Sequence, residues 1–162
     1  MRHPPTADLE ALLSALDGVE YIVVGGAAAV IHGAPVTTSD LDIVPRQHEG
    51  DIARLEAVLA QLDARFRPVR ADRDIAPTVE HLSGHGQLNL ITRYGPLDIL
   101  LRLHDARGYD ELVGTSQQIV EGDIRLRVID LDALIDIKRS TGRTRDAVTV
   151  PLLLAIKARR NR

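Results

Sequence analysis

The sequence predicts an α/β fold, a small mixed β-sheet flanked by helices, and three observations predict it. Short β-forming runs alternate with stretches of helical periodicity. One apolar run passes through a glycine pair straight into a small-residue helical stretch, and two later pairs of apolar runs are each joined by a tight turn.

Taken in order, Thr6 can cap a helix reaching about Asp17, with Leu9, Leu12, Leu13 and Leu16 on one face and Gly18 as its stop. Glu20 to Val24 is the first strand. Gly25-Gly26 turns the chain into the helix Ala27 to His32, which Gly33 and Pro35 end. A second strand spans Leu41 to Val44, and a helix over Asp51 to Ala64 carries Ile52, Leu55, Val58, Leu59 and Leu62 at helical spacing. Arg65 to Gly86, with its prolines and glycines, reads mostly as loop. Leu88 to Arg93 and Leu97 to Leu101 form a hairpin about Tyr94-Gly95-Pro96, and Gln118 to Glu121 with Ile124 to Ile129 form another about Gly122-Asp123. Asp130 caps a helix holding Leu131, Leu134, Ile135 and Lys138, and Thr144 to Arg160 is helical in pattern, with Pro151 expected to kink or split it.

The 162 residues fit a single domain, residues 1–162, whose part from 139 to 162 is a basic helical segment. Aromatics are limited to Phe66, Tyr21, Tyr94 and Tyr109, so the core is built from Leu, Ile, Val and Ala. The net charge of −3 hides an asymmetry: residues 1–137 carry −10 and residues 138–162 carry +7, a balance suited to phosphates of a nucleotide or RNA or to a solvated helix. Lack of cysteine excludes a disulfide framework or thiolate zinc site and fits a reducing cytoplasm. No signal peptide or membrane span is read, because no apolar run approaches twenty residues. A cytoplasmic location is therefore expected.

The chemistry concentrates at Asp40 and Asp42, the first of them fourteen residues past Gly26. On an extended strand side chains alternate faces, so both carboxylates point one way while Leu41 and Ile43 point towards the core. Like charges held so close call for a divalent cation, and magnesium suits hard oxygen ligands and substrate phosphates. Asp98 stands inside an apolar run and demands a polar role. If its strand pairs beside that of Asp40 and Asp42, three carboxylates meet at one end of the sheet and can hold two ions, with Asp98 nearer the acceptor hydroxyl and helping to take its proton. Gly25 and Gly26 let the backbone approach a polyphosphate. His32 is read as a packed residue on its helix, and the His81/His85 pair as loop rather than a zinc site.

Val24-Gly25-Gly26, the thirteen-residue spacing to Asp40-Leu41-Asp42-Ile43, and Asp98 together resemble the signature of the nucleotidyltransferase superfamily typified by DNA polymerase beta. Within it the chain is similar to minimal bacterial members of the AbiEii and MenT toxin type. Two further stretches carry that likeness: Gly26 to Gly33 ahead of Thr38-Ser39-Asp40, and Leu134-Ile135-Asp136-Ile137-Lys138 followed by Gly142-Arg143-Thr144-Arg145-Asp146. The resemblance spans about residues 20 to 150. It implies the polymerase beta-like fold and metal ligands Asp40, Asp42 and Asp98, joined in catalysis by Lys138 and Asp146. It further implies nucleotide contacts from Gly25, Gly26, Thr38, Ser39, Lys138 and Arg143, and Mg2+, replaceable by Mn2+. The implied activity is transfer of NMP from an NTP to a macromolecular hydroxyl, a tRNA 3′ end or a protein side chain, as a toxin with an antitoxin partner; a small-molecule acceptor is a further option. Val36 departs from the arginine common two residues before the threonine of such relatives, and Pro151 interrupts the last helix. A second reading is a catalytically silent domain of the same fold that binds nucleotide or a partner; retention of all three aspartates favours the enzyme.

Overall fold

The computed structural model describes residues 3–69 and 74–162. A seven-stranded mixed sheet forms its centre, with strand order β3-β4-β5-β2-β1-β7-β6. The strands are β1 (Tyr21–Val24), β2 (Leu41–Pro45), β3 (Arg65–Phe66), β4 (Gln87–Thr92), β5 (Gly95–Leu100), β6 (Ser116–Glu121) and β7 (Ile124–Ile129). Among the described residues, seven α-helices accompany them: α1 (Leu9–Ala15), α2 (Gly25–Ile31), α3 (Asp51–Gln61), α4 (Val79–Leu82), α5 (Tyr109–Leu112), α6 (Leu131–Thr141) and α7 (Thr144–Arg160). A mixed α/β fold is therefore observed as expected.

The pairing decides where the carboxylates go. β2 runs antiparallel to β1 and parallel to β5, with Asp42 directly opposite Asp98. Residues opposite one another share a face of the sheet, so this register alone brings the two aspartates together. The other faces of these strands are greasy: Val23, Leu41, Ile43, Leu97 and Ile99 are fully buried and join one aliphatic core with Leu12, Leu16, Leu55 and Leu59. A one-residue slip of β5 would bury Asp98 in that core and expose Leu97 and Ile99, which strongly specifies the register.

Several expectations need correction. Asp8, whose carboxylate accepts from Ala11 N, caps α1 in place of Thr6. Thr6 and Ala7 instead lie under the β4–β5 turn: Asp8 N donates to Tyr94 O and Ala7 N to Ser39 O, each at 2.8 Å. This pins the loop that leads into Asp40. Gly25 and Gly26 form the first turn of α2 rather than a turn preceding it. Asp130 occupies the N-cap position of α6 but its side chain makes no capping bond. The Arg65–Gly86 stretch, of which residues 70–73 lie outside the described residues, contains β3 and α4; α4 is closed by a capping box between Thr78 and His81.

α7 runs without a break through Pro151. The proline removes one backbone bond, to the carbonyl four residues earlier, and both Pro151 and Ala147 lie on the exposed side of the helix. There water can take the freed carbonyl, and helices bend rather than break. α7 packs against α6, with Leu153 and Ile156 buried, and Arg160 Nη2 donates to His32 O at the C-terminal end of α2 at 3.2 Å.

Candidate active site

Asp40, Asp42 and Asp98 each offer a carboxylate oxygen, and these oxygens all lie within 4.8 Å of one another. Asp40 precedes β2, Asp42 is its second residue and Asp98 is in β5. The neighbouring chain is built to hold them. Thr38 Oγ1 donates to Asp40 O at 3.0 Å and Ser39 Oγ to Asp40 Oδ1 at 2.8 Å. Gly25 has φ +64°, and a Cβ there would collide with the Asp42 carboxylate; one on Gly26 would lie 2.8 Å from Thr38 Oγ1. The glycine pair thus lets the start of α2 rest against the acidic cluster. Gly25→Ala is expected to cost more than about 1 kcal/mol in stability, from its left-handed φ alone, and to push Asp42 out of place. Thermal unfolding together with an Asp42-dependent activity measures both effects.

Electrostatics follow from this crowding. Burial raises the Asp42 pKa to about 7, with Asp98 and Asp40 adding to the shift and Arg145 opposing it. Burial also raises Asp98; the Arg67 guanidinium pulls it back and Asp40 pushes it further up, the net shift being upward. Carboxylates that resist ionisation side by side suit a divalent cation, since hard oxygen donors match Mg2+ or Mn2+. The donor set therefore fits such an ion.

A pH prediction follows. The folded Asp42 value of about 7 lies above its ordinary 3.8, so the folded protein holds an extra proton between them. The contribution of this group to stability falls as pH rises from about 4 to about 7. A cation must displace that proton, so Mn2+ affinity is expected to rise by up to about tenfold per pH unit below 7 and to level off above it. Isothermal titration with Mn2+ between about pH 5.5 and 8.5 reads this; a flat profile would show that Asp42 is not in the ion's shell.

Beside the carboxylates opens a cavity of about 180 Å3, lined by Gly25, Gly26, Thr38, Ser39, Lys138, Arg143 and Arg145 among others. Across Asp42 a second cavity of about 240 Å3 shares Gly25, Lys138, Arg143 and Asp146 with the first and adds apolar walls from Leu100, Leu103, Leu134 and Ile137. The two are halves of one cleft, one polar and one mostly apolar. A larger hollow of about 520 Å3, between the ends of α6 and α7, contains none of the clustered aspartates.

Lys138 and Asp146 form a buried ion pair, Nζ to Oδ1 at 2.9 Å, and are only 8% and 5% exposed. Thr141 Oγ1 donates to the other oxygen of Asp146. Burial by itself would raise Asp146, but the hydrogen bonds from Thr141 and Lys138, with the Lys138 charge, prevail and hold it below the usual carboxylate range.

All ten residues singled out from the sequence thus gather around this cleft: Asp40, Asp42, Asp98, Lys138, Asp146, Gly25, Gly26, Thr38, Ser39 and Arg143. Arg67 and Arg145 were not among them. Arg145 had a visible signal, since it sits one residue before Asp146 in the same motif; Arg67 had none. His32 is a structural residue. Its Nε2 lies 2.7 Å from Ile129 O and its Nδ1 3.3 Å from Arg160 Nη1. A carbonyl only accepts and a guanidinium only donates, so the ring is the neutral Nε2–H tautomer, in keeping with a pKa lowered by burial. His81 packs its ring edge-on to Phe66 and caps α4. Among the described residues, the three aspartates are the group disposed to hold a metal.

The chain has a nucleotidyltransferase-like fold: it is similar to the crystal structure of a "putative nucleotidyltransferase" from Thermotoga maritima, at TM-score 0.53 and 18% identity, over 91% of this chain and 90% of that one. No family model matches the sequence, and no curated protein matches it. At that identity the likeness speaks for architecture. No helix is long and apolar enough to cross a membrane among the described residues.

Proposed function

We propose that the chain is a metal-dependent nucleotidyltransferase that moves NMP from an NTP to a hydroxyl and releases pyrophosphate. One observation carries this reading: three carboxylates within 4.8 Å of one another stand at the edge of a cavity walled by glycine backbone, hydroxyls and arginines. Such a wall suits a triphosphate, because backbone amides and guanidinium groups both donate to phosphate oxygens.

In this account Asp40, Asp42 and Asp98 hold Mg2+, with Mn2+ as a substitute. When bound, the cation offsets the charge of the triphosphate and favours attack at phosphorus. The chain's own residues do the rest. Gly25, Gly26, Thr38 and Ser39 receive the phosphates from one side, Arg143 and Arg145 from the other, and Lys138 supplies a point charge that Asp146 keeps in place. Asp98, with its pKa raised, takes the proton of the acceptor hydroxyl as the new O–P bond forms and the bond to the pyrophosphate oxygen breaks.

The basic charge of the C-terminal segment is distributed unevenly. Lys157 is tied to Asp132 and Arg160 to His32, Arg143 and Arg145 line the cleft, and Arg139, Arg159 and Arg162 are exposed outside it. This supports a macromolecular phosphate-bearing acceptor such as the 3′ end of a tRNA, with a protein hydroxyl as the other arm of the test. Incubation with each α-labelled NTP and Mg2+, together with total tRNA or cell protein, is expected to place label in one of them. Label in neither, under conditions where an NTP binds, would leave a small-molecule acceptor or a binding domain in place of transfer to a macromolecule. An antitoxin-like partner would appear in the same assay as a protein that suppresses labelling.

A further inference from the structure

We infer that Arg67 is a positioning residue for Asp98, an inference that rests on the nucleotidyltransferase reading above. Arg67 follows β3 at the edge of the sheet, far from the motifs that carry the aspartates. Its backbone N donates to Asn89 O at 2.9 Å, which continues the β3–β4 ladder by one residue. Asn89 lies opposite Asp98, and Asp98 opposite Asp42. Arg67, Asn89, Asp98 and Asp42 therefore form one row across four strands, and the row ends at the acidic cluster.

The guanidinium is tied down twice. Nη2 donates to Asp98 Oδ1 at 2.6 Å and Nη1 to Leu90 O at 2.8 Å. Two donors in a rigid planar fork, one anchored on the backbone and one on the carboxylate, hold Asp98 Oδ1 in place. Oδ2 is left as the oxygen the guanidinium does not hold, available to a cation or to a proton. Asp98 is 6% exposed, so water has little part in orienting it. Among the described residues, Arg67 is the cation that forms a salt bridge with a member of the three-aspartate cluster, and that member is Asp98. The triphosphate cavity is lined by other residues, on the far side of Asp42. Loss of Arg67 should accordingly slow transfer to the acceptor without loosening the NTP.

Arg67→Lys and Arg67→Gln in the full chain test this, with three readouts: Mn2+ titration followed by electron paramagnetic resonance, thermal unfolding, and kcat and KM for NTP in the labelling assay. Both variants are expected to fold, to keep the wild-type Mn2+ stoichiometry, and to hold KM within about threefold while kcat falls about 10- to 100-fold, the range for groups that orient ligating side chains. Lysine is not expected to rescue kcat, because it offers charge without the two-pronged fork. Full rescue by lysine would reduce Arg67 to a counter-charge, unfolding of both variants would make it a structural residue, and unchanged kcat in both would remove it from the reaction; each result overturns the inference. Failure of the underlying reading looks different: wild-type protein would then bind no Mn2+, and the role assigned to Arg67 would fall with it.

Discussion

Asp42→Asn is expected to lower NMP transfer by about 1,000-fold, equivalent to about 4 kcal/mol of barrier, while leaving the unliganded protein at least as stable as wild type. Opposite effects on activity and stability arise from the same cause. Asp42 lies beside Asp40 and Asp98 with its pKa raised to about 7 by burial and by those neighbours, so near neutral pH its charged form is held at a cost. An amide of the same shape relieves that cost. It also removes a charged oxygen donor from the cluster, and a neutral amide is a poor replacement in the shell of a hard divalent ion. Calorimetric unfolding and labelling at pH 7.5 or above read the two effects; transfer within about tenfold of wild type would show that Asp42 does not hold the ion.

Asp146→Ala is expected to destabilise the protein by about 3–5 kcal/mol, because it leaves the Lys138 ammonium buried without its partner. For a chain of this size that corresponds to a fall in Tm on the order of 10 °C. The ion pair is a scaffold as much as a part of the site: it joins the last turn of α6 to the first turn of α7 and turns Lys138 towards the cleft. Since the folded Asp146 value lies below its ordinary 3.8, its stabilising effect is present above that pH and fades as pH falls through the lower folded value. Asp146→Asn should flatten this acid dependence, and Asp146→Ala with Lys138→Met should recover part of the lost stability by removing the orphaned charge. Unfolding curves that shift by less than about 2 °C in Asp146→Ala would mean that solvent, and not Asp146, satisfies Lys138.

The site was legible in the sequence where local periodicity controls it. Alternation along β2 aims Asp40 and Asp42 together and needs no knowledge of the rest of the chain. Asp98 was legible because a carboxylate in an apolar run cannot be left unpaired, and parallel pairing of β2 with β5 places it opposite Asp42. The strands and most helices were legible for the same reason, as burial pattern and turn residues coincide.

Contacts made by tertiary approach were not legible. Arg67 reaches Asp98 across 31 residues through a two-residue edge strand, too short to leave a periodic signal. The cap of α1 was misread because Thr6 is drawn away by backbone contacts near Tyr94, so that Asp8 does the capping. Pro151 misled because its cost depends on which side of the helix it faces, and that is set by packing of Leu153 and Ile156. α4 and β3 were hidden in a stretch rich in proline and glycine, where their short lengths fall below the reach of pattern.

In the proposed reaction the carboxylates of Asp40, Asp42 and Asp98 jointly bind divalent metal at the point where NTP reacts. Anomalous diffraction from a crystal soaked with Mn2+ and a non-hydrolysable NTP tests it most directly. Anomalous density is expected among the three carboxylates, with the triphosphate lying along Gly25, Gly26, Thr38 and Ser39. Density elsewhere, or a bound nucleotide with no manganese between those three groups, would contradict it.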